Sequence, residues 1–110
     1  MTSPPEPRGV VLLSTAPSLE VAHKVARTLV EEQLAACVNL VPGIRSIYRW
    51  EGKVQDDAEL LLVIKTTPAR QEQAVARLRE VHPYSCPEAI ALPILGGNPA
   101  YLSWLSEVVP

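Results

Sequence analysis

The chain has 110 residues, enough for one domain with a substantial core, and its 47% hydrophobic content excludes disorder as its general state. The chain contains ten Lys and Arg residues and twelve Asp and Glu residues, and this scattered, nearly balanced charge argues against a partner such as nucleic acid or an anionic membrane. No apolar run approaches the roughly 20 residues that a membrane-spanning helix needs.

The N-terminal segment MTSPPEPRG has neither the basic nor the apolar region of a secretion signal. We therefore expect a disordered tail at residues 1–8 and a single domain at residues 9–110. Cys37 and Cys86 are the only cysteines. Two thiols without a secretion signal are more often free than bridged, so the expected location is the cytoplasm.

The first predicted elements are a strand and a helix. A short buried strand is predicted over Val10 to Ser14, which is almost entirely apolar. Ser18 is the expected N-cap of the helix, and Glu20 suits its positively polarised first turn. The apolar face of this helix repeats at helical spacing and comprises Ala22, Val25, Ala26 and Leu29.

A long β-hairpin is predicted next. The residues from Ala36 to Trp50 suit an extended chain, which at about 3.3 Å per residue spans about 50 Å. A strand of that length must bend or project from its sheet, and Pro42-Gly43 is a suitable place for a bulge. We expect the turn near Gly52-Lys53 and the returning strand over Ala58 to Thr66.

The remaining elements are two helices and a strand. Thr67-Pro68 is expected to cap the second helix, with proline at its first position, and Pro83 to end it. The buried stripe of this helix comprises Ala74, Val75, Leu78 and Val81. A strand follows over Ala89 to Ile94, and Asn98-Pro99 begins a terminal helix. That helix carries Tyr101, Leu102, Trp104 and Leu105.

The predicted order is βαββαβ followed by a helix. This order is typical of an α+β fold, the ferredoxin-like sandwich, in which two helices cover one face of a four-stranded antiparallel sheet. Here the sandwich carries an extended β-hairpin arm and a C-terminal helix.

The returning strand is apolar on both sides. Leu62 and Ile64 point one way, whereas Leu61 and Val63 point the other way. Two helices cover only one face, so the opposite face would leave a large apolar patch on a monomer. We therefore expect identical chains to associate through it in a closed ring, with the arm protecting a neighbour's strand edge.

Several motifs resemble the CutA family, named for divalent-cation tolerance. They are LAACVN from Leu34, SIYRWEGK from Ser46, IKT from Ile64, HPY from His82, ALP from Ala91 and YLSWL from Tyr101. The resemblance covers the chain from about Val10 onward. It implies a ferredoxin-like protomer in a tight homotrimer of PII-like architecture, with the sheets facing inward.

The resemblance also directs attention to metal ligands, and His82 and Cys37 are the candidates. Metal-associated relatives have proposed ligands in a Cys that closes the first strand and in a His pair before Pro-Tyr. Ser14 and Val81 occupy two of those places here, and only His82 persists. The competing interpretations are a hydrogen-bonded imidazole at a helix end for His82 and a small buried hydrophobe for Cys37.

Four residues are candidates for a ligand cleft between subunits. Lys65 and Glu59 lie six residues apart on one strand and share a face, while Tyr84 and Glu88 belong to the following loop. The functional interpretation is a cleft in which Lys65 holds an anion. The alternative is an ion pair between subunits, because an unpaired buried charge is costly.

Four aromatic residues are expected to pack between protomers. Tyr48 and Trp50 share one face of the arm, and Tyr101 and Trp104 lie on the terminal helix. Their surroundings are not basic enough for a platform that stacks nucleic-acid bases.

The first function hypothesis is a trimeric CutA-like protein linked to divalent-cation (copper) tolerance, which binds metal weakly or between subunits. The alternative is a PII-like sensor or scaffold with small-ligand clefts between subunits. Copper or another divalent cation is the expected cofactor, and no organic cofactor is implied. We do not expect an enzyme, because the loop STAPS lacks the arginine of an acylphosphatase loop and the chain has no nucleotide-binding motif.

Overall fold

The computed structural model describes residues 6–110. The elements are β1 (Gly9–Ala16), α1 (Leu19–Glu31), β2 (Cys37–Trp50), β3 (Lys53–Thr66), α2 (Gln71–Val81), β4 (Ile90–Ile94) and α3 (Pro99–Val108). A 3-10 turn, Pro68–Arg70, precedes α2. Within the described range, the helices are too short or too polar to cross a membrane.

The strands form one antiparallel sheet in the order β2-β3-β1-β4. This order, with both crossover helices on one face, confirms the predicted ferredoxin-like α+β fold. Residues 1–5 of the predicted tail lie outside the described residues. At its other end, the Arg8 amide donates a 2.6 Å hydrogen bond to the Ile94 carbonyl.

The core lies between the sheet and the helices α1 and α2. The Ser18 side chain accepts a hydrogen bond from the Val21 amide, as expected for an N-cap. All four predicted apolar positions of α1 are buried. Three of them, Ala22, Val25 and Leu29, pack with alternate residues of the two central strands and with α2, chiefly Val10, Leu12, Leu62, Ile64, Ala74 and Leu78.

The predicted arm is present and carries a bulge at the expected place. The β2–β3 register shifts between Val41 and Ile44, and Gly43 has a φ of 82°, which favours glycine. The turn was predicted one residue late. Glu51 and Gly52 both have positive φ values, and Trp50 pairs with Lys53, so pairing continues to the tip and β3 begins before Ala58.

The prediction that Thr67 caps the second helix is wrong. Thr67 precedes the 3-10 turn instead, its side chain makes no capping hydrogen bond, and α2 begins only at Gln71. The Thr67 hydroxyl is buried without a hydrogen-bond partner. By contrast, the adjacent Thr66 hydroxyl donates a 2.7 Å hydrogen bond to the Leu34 carbonyl.

These neighbouring threonines give a matched test of buried hydroxyl groups. Thr66→Val removes the hydrogen bond to the Leu34 carbonyl and is expected to lower the free energy of unfolding by about 1–2 kcal/mol. Thr67→Val removes an unpartnered polar atom and is expected to raise it by about 1 kcal/mol. Urea unfolding at one fixed protein concentration measures both changes, and equal losses in the two variants would contradict the assignment.

The sheet face opposite the helices is uncovered in the single chain. Strand pairing places residues from all four strands on this open face: Val11, Leu13, Cys37, Asn39, Val41, Leu61, Val63, Lys65, Ile90 and Leu92. Ile90 is 52% exposed and Leu92 is 47% exposed. The predicted apolar surface therefore exists and is contiguous across the sheet.

Candidate functional site

His82 links the end of α2 to the end of β1. Its Nε2 atom lies 2.8 Å from the Thr15 carbonyl oxygen, and its Nδ1 atom lies 3.1 Å from the Tyr84 amide nitrogen. A carbonyl only accepts and an amide N–H only donates, so Nε2 carries the proton and Nδ1 accepts. Both ring nitrogens are thus occupied, and a metal ion at His82 would have to displace one of these hydrogen bonds.

The loop after His82 brings Tyr84 onto Glu59 of β3. The Tyr84 hydroxyl donates a 2.8 Å hydrogen bond to Glu59 Oε2. Burial, this hydrogen bond and the nearby negative charge raise the pKa of Tyr84 well above its usual value, so the hydroxyl stays protonated as the donor. Glu59 itself is only 7% exposed.

Glu59 and Tyr84 belong to a cavity of about 550 Å³ between the arm and the loop that follows α2. The arm contributes its aromatic side chains Tyr48 and Trp50, and the loop contributes Glu88. The other lining residues are Thr15, Ser46, Ile47, Ser85 and Cys86. Three of the four candidate cleft residues, all but Lys65, therefore meet in one cavity within a single chain.

Lys65 and Cys37 lie together near the other end of the sheet. They are directly paired across β2 and β3 on the open face. Cys37 is half-buried rather than part of the core, and its thiol is free. Tyr101 of α3 lies near the same place, and burial and then the neighbouring Cys37 raise the pKa of Tyr101.

The two candidate metal ligands are not brought together. Cys37 lies level with Val11 in the sheet, whereas His82 contacts Thr15, four residues farther along β1. Among residues 6–110, no group of three or more His, Cys, Asp or Glu side chains has an arrangement that could hold a metal ion. A metal site built from one protomer is therefore not supported.

The four predicted aromatic contacts divide into two pairs. Tyr48 and Trp50 line the cavity of their own chain, and the Tyr48 hydroxyl donates a 2.5 Å hydrogen bond to Asp57. Tyr101 and Trp104 pack against each other on α3, with ring centroids 5.4 Å apart. All four remain about two-fifths exposed, so each retains surface available for a partner.

Sequence reasoning missed that the arm forms a wall of this cavity. Cys86 lies exposed in the loop after α2 and also lines the cavity. The period of two along β2 places Ser46, Tyr48 and Trp50 on one side of the strand. This pattern was the signal in the sequence that could have indicated the cavity wall. The position of the loop relative to the arm depends on tertiary packing.

Comparison with known proteins identifies the family. Residues 10–108 match the family described as "CutA1 divalent ion tolerance protein". The chain belongs to the CutA1 family. It is 56% identical over 97 residues to the divalent-cation tolerance protein CutA of Thermus thermophilus, a match that covers 88% of this chain and 94% of that protein.

Other CutA1 relatives extend the match to plants and to solved structures. The chloroplastic CutA of Arabidopsis thaliana is 51% identical over 98 residues, but the chain spans only 54% of that protein. The solved structure of the Cut A1 protein from Thermus thermophilus superposes with a TM-score of 0.90 at 53% identity and covers 93% of this chain and 99% of that one. The CutA1 resemblance expected from the motifs is thus confirmed.

Proposed function

We propose that this protein acts in divalent-cation tolerance as a homotrimer with PII-like architecture, and that it binds copper or another divalent cation weakly or between subunits. The observation that carries the proposal is the open apolar face of a CutA1-family sheet. Exposed Ile90, Leu92 and Val41 on that face favour association with identical chains, since large apolar patches on soluble proteins mark interaction surfaces.

The proposed metal contact is Cys37 rather than His82. Association through the open face brings Cys37 next to a partner chain, where symmetry multiplies a single thiol into a ligand set. His82 has both ring nitrogens engaged within its own chain. Copper and zinc both accept sulfur ligands, so a shared thiolate suits this class of ion.

The two free cysteines provide the test of this site. Titration of purified, tag-free protein with Cu²⁺ and with Zn²⁺ should show saturable uptake that is lost in Cys37→Ala and kept in Cys86→Ala. Uptake that needs more than about 100 µM metal in the wild type would leave the metal role without a direct site. Loss confined to Cys86→Ala would place the contact in the exposed loop instead.

A second candidate function is a small-ligand sensor with PII-like clefts between subunits. The cavity at Glu59 and Tyr84 lies within one chain rather than between subunits, but it favours a ligand-binding role, because about 550 Å³ lies within the range of about 300–1,000 Å³ typical of ligand sites. A thermal-shift screen with nucleotides, carboxylates and amines tests this role. A ligand at 100 times its dissociation constant stabilises by about 2.7 kcal/mol.

We also propose a binding role rather than catalysis, and a cytoplasmic location. The segment that joins β1 to α1 contains Pro17 and Ser18 and offers no arginine for phosphate chemistry. The two cysteines remain free, which fits a reducing compartment. Cell fractionation tests the location, and sustained turnover in a phosphatase or esterase screen would contradict the binding role.

A further inference from the structure

All the charged side chains that line the cavity between the arm and the loop are acidic. Glu59 and Glu88 line it, and Asp57 accepts a hydrogen bond from the hydroxyl of Tyr48, which forms part of the wall. No Lys, Arg or His is among the described residues that line it. The described ion pairs involve other acidic residues, so none of these three carboxylates has a cationic partner within the described chain.

Glu59 is the most buried of these three carboxylates. It is more than nine-tenths buried, and only Oε2 receives a hydrogen bond, from Tyr84. Among residues 6–110 no hydrogen bond to its Oε1 atom is present, and Oε1 is not one of the fully buried unpartnered atoms, so it remains accessible from the cavity. A largely buried carboxylate has lost part of its hydration, so a cation placed beside Oε1 would be stabilised by the attraction of opposite charges.

The walls of the cavity are aromatic. Tyr48 and Trp50 come from the arm, and Tyr84 comes from the loop on the other side. Aromatic faces attract ammonium and guanidinium groups, and tryptophan does so most strongly. Carboxylates beside aromatic rings are the arrangement that recognises organic cations.

A metal ion suits this cavity less well than an organic cation. Glu59 and Glu88 do not form part of any group of three potential ligands in the described chain. Zinc prefers four nitrogen, sulfur or carboxylate ligands, and calcium prefers six to eight oxygens. The aromatic surface has no role in binding such ions.

We propose that this cavity binds a small organic cation, an alkylammonium compound, with the ammonium group beside Glu59 and its alkyl groups against Tyr48, Trp50 and Tyr84. The inference names the ligand class for the second candidate function and rests on that function. It is independent of Cys37 and of metal uptake, which concern the open face of the sheet.

Choline and its uncharged carbon analogue 3,3-dimethyl-1-butanol provide a direct test, because the two have nearly the same shape and differ in charge. Calorimetric titration of the intact, untagged protein should give a dissociation constant for choline of about 1 mM or lower. The carbon analogue should bind at least about tenfold more weakly, since it lacks the attraction to Glu59 and to the rings.

Two substitutions locate the binding. Glu59→Gln keeps the shape of the side chain, removes its negative charge and should weaken choline binding about 10- to 100-fold. Trp50→Leu should weaken choline binding about three- to tenfold, because it removes the aromatic ring that attracts a cation most strongly. Glu107→Gln makes the same charge change at an exposed position of α3 outside the cavity and should leave the affinity unchanged.

Protection of Cys86 gives an independent readout within the wild-type protein. Cys86 lines the cavity, whereas Cys37 lies on the open face of the sheet. Choline should slow alkylation of Cys86 by iodoacetamide and leave the rate at Cys37 unchanged, as followed by peptide mass spectrometry. Equal rates at Cys86 with and without choline would overturn the proposal.

Three further results would also overturn it. The first is no binding of choline up to about 10 mM. The second is equal binding of choline and its carbon analogue. The third is choline binding by the Lys65→Ala variant but not by the wild type. That result would mean that Lys65 of a neighbouring chain fills the cavity in the wild-type protein. If the thermal-shift screen found nucleotides or carboxylates that bind, while choline did not bind, the organic-cation proposal would be refuted. The proposed sensor role would still be supported.

Discussion

Val63→Glu is expected to convert the proposed trimer into single chains. Val63 lies at the centre of the open face, paired with Asn39 on one side and Leu13 on the other. In the single chain this position is only half-buried, so a glutamate there is tolerated by the protomer. Within an apolar interface, an unpaired carboxylate costs several kcal/mol, which raises the dissociation constant at least about 100-fold.

Sedimentation velocity across a concentration series measures this change. Val30→Glu is the matched control, because it introduces the same side chain in place of valine on α1, where Val30 is 40% exposed. The control should sediment as the wild type does. Wild-type protein that sediments as single chains at micromolar concentration would refute the proposed trimer, and an associated Val63→Glu protein would place the interface elsewhere.

Leu12→Ala is expected to lower the free energy of unfolding by about 2–5 kcal/mol. Leu12 is fully buried in the central strand β1, where it pairs with Ile64 and Ala91 and faces the helices. The loss combines the transfer energy of the removed methyl groups with the cavity left among rigidly packed neighbours. Guanidinium unfolding at fixed chain concentration measures it, since unfolding of an oligomer depends on concentration.

Leu19→Ala is the control for this change. Leu19 is 56% exposed at the start of α1, so the same truncation there should alter the free energy of unfolding by no more than about 0.5 kcal/mol. Similar losses in both variants would show that α1 and β1 do not pack as described.

Much of the fold was predictable because its signals are local. Ser18 and Asn98 cap their helices through side chains that reach nearby amides, and both caps were identified from residue type. The bulge at Pro42-Gly43 follows from proline's missing donor and glycine's freedom at positive φ. Thr67 was mispredicted because its sequence suits a cap, while tertiary packing turned its hydroxyl into the interior.

The candidate site was predictable only in part. Glu59, Tyr84 and Glu88 were chosen as cleft residues and meet in one cavity, although they come from segments about 25 residues apart. Lys65 was grouped with them because it shares a face with Glu59. A shared face does not imply proximity, and the length of β3 leaves Lys65 beside Cys37 instead.

The sequence by itself determined the strands, the helices and the surplus of apolar sheet, because these depend on periodicity along a few neighbouring residues. It also carried the motifs of the CutA1 family. Tertiary structure alone decided that both nitrogens of His82 are occupied, that Cys37 and His82 are separated, and that an arm and a loop enclose Glu59 with aromatic rings. These facts depend on contacts between distant segments, and the period of a strand or helix does not encode which distant segment it meets.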